Sequence, residues 1–308
     1  MPREVRIVEV GPRDGLQNES AFVPTGAKIA LVDGLADAGL TTIEVSAFVS
    51  ARRVPQMADA AEVFAGITRR SGVTYTALVP NLRGLERAIQ ANVDEISVFP
   101  AASETFSHRN LGQSVAEAMA AADSVCTEAR AAGLRVRGYL SVSFGCPFEG
   151  PVVPARVAEL CEQMVDFGVY EVAISDTIGI AHPAQVTGLL ETVMVRIPPS
   201  SIALHFHDTR GMALVNVFAG LYAGIATFDA SAGGLGGCPY APGATGNLAT
   251  EDLLYLLDGL GIATGARLDA LVAVSRSLEP HIGHPLPSRV LQAPPPRGAR
   301  TVASNPLS

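Results

Sequence analysis

The chain predicts an α/β fold, a (β/α)8 TIM barrel with parallel strands and a short C-terminal extension. Eight apolar, β-rich runs alternate with helical patterns along most of its length. Strands separated by single helices must pair in parallel, and eight such units close into a barrel. A doubly wound open sheet is the rival, but no G-x-G-x-x-G follows the first run.

In order, the expected strands are VRIVEV (5–10), TTIEVSAF (41–48), TYTALVP (74–80), EISVFP (95–100), VRGYLSVSF (136–144), YEVAISD (170–176), IALHFHD (202–208) and TFDASAG (227–233). Helical spacing is expected over 25–38, 56–70, 81–91, 113–132, 154–167, 183–195, 211–223 and 247–260. Several of these stop at a glycine, as in DAGL, AAGL, DFGV and YAGI. The repeat is spent after about residue 265. The barrel is therefore assigned to 1–265, a helical extension to 266–290 and a flexible tail, rich in proline and small polar residues, to 291–308.

With 48% hydrophobic and 17% charged residues, 308 residues supply a large core, and one barrel of this length is ordinary. A formal charge of −8 without basic clusters argues against a nucleic-acid partner. An acidic coenzyme ester would then need arginines gathered at one rim. No apolar stretch approaches the ~20 residues that span a bilayer. The N-terminal MPREVRIVEV enters a strand at once, without the layout of a signal peptide. Cys126, Cys146, Cys161 and Cys238 form neither a CxxC pair nor a disulfide framework. A cytoplasmic setting is expected. Lys28 is the only lysine, on what reads as a surface helix, so Schiff-base chemistry, which needs a desolvated lysine at the reacting carbon, is set aside.

The most informative local pattern is ALHFHD. His205 and His207 alternate on a strand, so both imidazoles face one way and make half of a metal site. Asp14, in the RDG after strand one, and Asn247, after strand eight, are candidates for the other half. Such a nitrogen and oxygen set suits a divalent metal acting as Lewis acid, whereas the bland reading is a pair of buried, satisfied histidines. Arg13 reads either as half of a structural ion pair with Asp14 or as a planar cation aimed at a developing oxyanion. Glu44, at the end of strand two, is placed to hold that guanidinium, or to be a plain solvated carboxylate. The segment GGLGGCPYAPGATGNLATED predicts a mobile loop followed by a helix. Its Cys238 is either an inert core thiol or a proton carrier brought in by loop closure. Asn247, opening the helix, is otherwise a simple N-cap. Arg13, Asp14, Glu44, Asp176, His205, His207 and Cys238 all fall at strand ends or in the loops after them, where barrels of this kind keep their chemistry.

GPRDGLQNE, IEVSAF, GCPFEG, SDTIG, HFHDTRG and GGLGGCPYAPGATGNLATED resemble the 3-hydroxy-3-methylglutaryl-CoA lyase family, from about residue 5 to residue 262. That family belongs to metallolyases sharing an Asp–Arg–Glu set on a TIM barrel. The resemblance implies that Asp14, His205, His207 and Asn247 bind Mg2+ or Mn2+. Arg13 would stabilise an enolate, Glu44 and Asp252 would position Arg13, and Cys238 would serve in proton transfer. Asp14 and His205 are the candidate bases for the substrate hydroxyl. The resemblance also implies a small acyl-CoA substrate, a homodimer, and a place in leucine degradation or ketone-body metabolism. The chain departs from the commoner pattern at Ser20, where lysine is frequent, and at Arg210 and Met212, where HDTYGQA is the usual reading. Related readings are a 3-hydroxy-3-alkylglutaryl-CoA lyase, a Claisen-type acyl-CoA synthase and a non-catalytic barrel that binds CoA esters.

Overall fold

The computed structural model describes residues 1–237 and 246–293. Eight parallel strands close into a barrel in chain order: β1 (Arg6–Glu9), β2 (Thr42–Ala47), β3 (Thr74–Leu78), β4 (Glu95–Val98), β5 (Arg135–Leu140), β6 (Glu171–Asp176), β7 (Ile202–Phe206) and β8 (Thr227–Ala230). Closure is made by β8 on β1, with Arg6 opposite Thr227 and Glu9 opposite Ala230. The strands are shorter than their apolar runs. β5 ends at Leu140 because the buried Val142 takes φ 54°. A β-branched residue adopts that left-handed backbone only where its surroundings impose it. Here Thr177 Oγ1 accepts its N–H at 2.8 Å.

The outer layer comprises α1 (Thr25–Asp37), α2 (Ala60–Gly66), α3 (Leu82–Gln90), α4 (Glu104–Leu111), α5 (Val115–Ala131), α6 (Pro154–Asp166), α7 (Pro183–Val193), α8 (Ala213–Tyr222) and α9 (Thr250–Gly259). α4 is absent from the sequence reading. Its ETFSHRNL carries too little apolar periodicity to announce a helix, and only Phe106 and Ser107 of it are buried. The core lies between sheet and helices, where Val32, Ile43, Val172, Leu190, Leu204 and Leu253 are fully buried. Burying such side chains contributes roughly 1.5–3 kcal/mol each.

Lys28 corrects an expectation. It lies on α1, but its side chain is buried, with Nζ 2.6 Å from Asp59 Oδ1 and 4.4 Å from the Phe22 ring centre. These partners join α1 to the start of α2, so the one lysine is a structural tie in the outer layer.

α10 (Leu268–Arg276), α11 (Glu279–Ile282) and α12 (Arg289–Gln292) complete the described chain. The segment between α11 and α12 lies over the glycine turn that follows β8. Ser288 donates its N–H to Gly233 O at 3.0 Å. Gly233 has φ +69°, and a Cβ there would stand 2.6 Å from Leu286, so the turn needs glycine twice over. Among the described residues, no helix is long and apolar enough to cross a membrane.

Candidate metal centre and active site

β1 runs directly into a single π-helical turn, Gly11–Gly15, whose five residues are all buried. One carbonyl organises it: Val10 O accepts the N–H groups of Arg13, Asp14 and Gly15 at 3.2, 2.7 and 3.1 Å. Pro12, with no N–H of its own, leaves that arrangement undisturbed. Single π turns are uncommon and concentrate at functional sites. This one delivers Arg13 and Asp14 to the barrel mouth.

There Asp14 meets the two histidines. His205, within β7, and His207, just past it, bring their Nε2 atoms to 3.9 and 3.8 Å from Asp14 Oδ2. The ligating atoms of the three residues all lie within 4.8 Å of one another. Asn247 joins them through an isolated bridge to His207. Its Nδ2 donates to Asp14 Oδ2 at 2.9 Å and to Leu235 O at 3.1 Å. α9 begins only at Thr250, so Asn247 does not cap the helix, as the local reading allowed. Gly236, at φ +114°, makes room for it, since a Cβ there would lie 2.6 Å from Asn247 Nδ2.

The donor set fits a divalent cation. Asn247 Oδ1 is buried and has no hydrogen-bond partner among the described residues. Leaving such an acceptor dry costs ~1–3 kcal/mol unless something positive fills the place. Two imidazole nitrogens, a carboxylate and an amide oxygen suit the borderline and hard divalent metals. The electrostatics agree. Burial works against an ionised Asp14, but Arg13, the two imidazoles and Asn247 together hold it down to about 2. Burial, then repulsion from His205, pushes His207 down to about 4, so it presents a neutral ring at neutral pH. Arg13 carries one positive charge and Asp14 with Glu44 two negative, which leaves the pocket one negative charge to attract a cation.

Arg13 is held rigidly. Its Nε pairs with Glu44 Oε2 and its Nη1 lies 2.5 Å from Asp14 Oδ1. The guanidinium carbon sits 5.2 Å from the Tyr139 ring centre. Glu44 and Asp14 outweigh the cost of burial and hold the guanidinium above its usual range. Glu44 lies inside β2 rather than at its end, fully buried. Its side chain can therefore serve only the interior.

Asp252 does not reach Arg13. It accepts from Ser288 Oγ at 2.8 Å, Arg289 N at 3.0 Å and Val290 N at 2.8 Å, and so caps α12. The first turn of α9 faces the C-terminal segment, which the expected role overlooked. Asp176, ending β6, accepts from the N–H groups of Ile180 and Ala181, both at 2.9 Å, and shapes the loop that follows. Arg210 Nη1 donates to Ile178 O and Gly179 O at 3.1 and 2.9 Å, tying the loop after β7 to the one after β6. Ser20 and Met212 are exposed. Cys238 lies outside the described residues.

Four residues at the site went unread in the sequence: Gln17, whose Nε2 donates to Asp14 Oδ1 at 2.7 Å, Tyr139, Arg137 and Asp229. Arg137 and Asp229 carried a usable signal, because a charge inside a core strand needs a partner. Asp229 lies 3.2 Å from His205 Nδ1 and 2.6 Å from Arg137 Nη2. Burial opposes its ionisation, yet Arg137 and the contact with His205 keep it below the usual carboxylate range. A cavity of about 260 Å³ adjoins the cluster, shares Asn247, and is lined also by Asp208, Arg210, Ser288 and Arg289.

Fold and site define a class: a (β/α)8 barrel whose C-terminal mouth can hold a divalent metal beside a fixed arginine. The chain matches the HMGL-like family over residues 4–278 and belongs to it. It is 50% identical over 293 residues to the 3-hydroxy-3-isohexenylglutaryl-CoA/hydroxymethylglutaryl-CoA lyase of Pseudomonas aeruginosa, covering 95% of this chain and 98% of that one. It is 48% identical to a hydroxymethylglutaryl-CoA lyase of Bacillus subtilis, covering 94% of this chain and 97% of that one. An HMG-CoA lyase of Acinetobacter baumannii, solved with coenzyme A and 3-methylmalate, superposes with a TM-score of 0.91 at 39% identity, over 99% of this chain and 98% of that one.

Proposed function

We propose that the protein is a carbon–carbon lyase that splits 3-hydroxy-3-methylglutaryl-CoA into acetyl-CoA and acetoacetate. The observation that carries this reading is the Asp14–His205–His207 cluster with Arg13 fixed at its edge, in a chain so close to lyases of that name. Asp14, His205, His207 and Asn247 would hold Mg2+ or Mn2+. Either ion, when bound, supplies Lewis-acid polarisation of substrate oxygens.

The chain's own groups do the rest. The tertiary hydroxyl of the substrate gives its proton to a base at the cluster, for which Asp14 and His205 are the candidates. The C2–C3 bond breaks, its electron pair moves to C2, and the alkoxide carbon becomes the ketone of acetoacetate. Charge then spreads onto the thioester oxygen. Arg13 meets it there, because Glu44 and Asp14 occupy Nε and Nη1 while Nη2 makes no bond among the described residues. A donor fixed before the charge appears needs no reorganisation. Cys238 is assigned the protonation of C2. Arg210 and Arg289, beside the adjoining cavity, offer positive charge to the acidic coenzyme. Incubation with 3-hydroxy-3-methylglutaryl-CoA should release acetyl-CoA and acetoacetate in equal amounts. Release of neither rejects the reading, and preference for a longer 3-alkyl ester would move it to the related lyase.

The protein is further assigned to the cytoplasm and to a homodimer. Cys126, Cys146 and Cys161 are free and buried, as suits a reducing compartment. Val215, Phe218 and Tyr222 are exposed along α8, which carries no charged residue and supports the dimer. Light scattering at micromolar concentration distinguishes monomer from dimer.

A further inference from the structure

An unbroken line of charges runs through the barrel to the metal centre. Arg6, at the N-terminal end of β1, pairs with Glu171 Oε2. The other oxygen of Glu171 accepts from Arg137 Nε at 2.8 Å. Arg137 then reaches across to β8, where Nη2 and Nη1 lie 2.6 and 3.3 Å from the two oxygens of Asp229. Asp229 Oδ2 is 3.2 Å from His205 Nδ1. Strand register builds two of these links, since Glu171 pairs with Arg137 across β5–β6 and Asp229 with His205 across β7–β8. Two guanidinium and two carboxylate groups cancel, so no charge in the line is left unpaired in the low-dielectric interior. Only Arg6 is appreciably exposed, its side chain at 33%, beside a cavity of about 660 Å³ at the opposite end of the barrel.

We propose that Asp229, fixed by Arg137, is the positioning residue that makes His205 a metal ligand. This rests on the metal-site reading given above. A neutral imidazole carries its proton on one nitrogen only, and a carboxylate can only accept. Asp229 therefore selects the Nδ1–H form and leaves the Nε2 lone pair facing Asp14. Tyr139 fixes the ring plane, meeting the His205 ring edge-on with centroids 5.9 Å apart. The bidentate grip of Arg137 stops Asp229 from turning away. A simple structural ion pair would be complete with Arg137 and Asp229 alone. In this line Oδ2 is shared with the imidazole.

The test uses the full chain, stripped of metal, with Mn2+ alone as probe. Asp229→Asn keeps the shape but can offer an N–H to Nδ1, which moves the ring proton to Nε2. Mn2+ affinity should fall about 10–100-fold, the usual effect of losing such a supporting partner, with the circular dichroism and melting of a folded protein. Nitrogen NMR of the metal-free protein should show a pyridine-like His205 Nε2 in the wild type and a pyrrole-like one in Asp229→Asn. Arg137→Lys, which keeps the charge but loses the fork, should give a smaller loss of affinity. Arg6→Met, at the far end, should leave both readouts unchanged. A pyrrole-like Nε2 in the wild type overturns the proposal even if no variant folds. So does an unchanged affinity in a folded Asp229→Asn. Failure of the wild type itself to bind Mn2+ would instead reject the metal reading beneath it, and the proposal with it.

Discussion

Asn247 donates its Nδ2 to Asp14 Oδ2 at 2.9 Å, while its own Oδ1 is buried and has no donor among the described residues. An amide turned with its acceptor orphaned marks where a cation belongs. Asn247→Ala, His205→Ala and His207→Ala should each leave a folded barrel. Each should weaken metal binding by more than the roughly 10–100-fold that a supporting residue is worth. Calorimetric titration of the stripped protein measures this, and wild-type affinity in any of the three removes that residue from the site.

Arg13 should act on the rate rather than on binding, because the charge it meets exists only along the reaction path. Arg13→Met should lower kcat by about 10²–10³, equivalent to ~2.7–4 kcal/mol, with little change in KM. A change confined to KM would assign Arg13 to substrate binding instead.

Asp252 gives a sharper separation. Its three hydrogen bonds go to Ser288, Arg289 and Val290, and losing a helix cap costs about 0.5–2 kcal/mol of stability. Asp252→Ala should therefore lower the melting temperature. In a double-mutant cycle on kcat/KM with Arg13→Met, the two effects should add within about 0.5 kcal/mol. Coupling well above that would restore a direct link to Arg13.

Cys238→Ser should lose about 10²–10⁴-fold in turnover if its thiol carries a proton to C2. The same variant should bind Mn2+ as the wild type does, since the four proposed ligands are untouched. Alkylation should inactivate the wild-type protein, and substrate with metal should protect it. Near-normal turnover in the serine variant would remove the thiol from the mechanism.

Glu251 predicts a pH dependence of stability. Burial pushes its carboxyl up from 4.5 to about 7, although Ser275 and the N–H of Gly233 bond to it. The folded form thus keeps a proton that the unfolded chain gives up. This contribution is full below 4.5 and is lost as pH rises to about 7. Melting curves of the wild type and Glu251→Gln should converge or cross between about pH 5 and 7.5, the wild type losing ground as pH rises. Parallel curves across that window would mean that Glu251 is not held protonated by the fold.

Much of this architecture is written in local patterns. Apolar, β-rich runs separated by stretches of helical spacing mark all eight strands, and the strand's side-chain period of 2 aligns His205 with His207. Asp14 and Asn247 were legible only as polar residues at strand ends, because their meeting depends on barrel closure. The π turn was not legible, since three N–H groups converging on Val10 O leave no sequence period. Asp252 was misread because its partners lie more than thirty residues away, in a segment with little pattern of its own. Arg137 and Asp229 face each other across the barrel, a contact that only the register and closure of the sheet create. Lys28 read as exposed because charge on a helix usually is, and Asp59 and Phe22 became its partners only in the packed fold.

Cleavage should need a divalent metal held at Asp14, His205, His207 and Asn247. The most direct measurement is acetoacetate release from 3-hydroxy-3-methylglutaryl-CoA by chelator-stripped protein as Mg2+ or Mn2+ is added back. Activity should be absent in the stripped protein, return saturably with metal, and fail to return in His207→Ala at concentrations that saturate the wild type. Full release in excess chelator, or full recovery by His207→Ala at wild-type metal concentrations, would mean that cleavage does not depend on a metal at these residues.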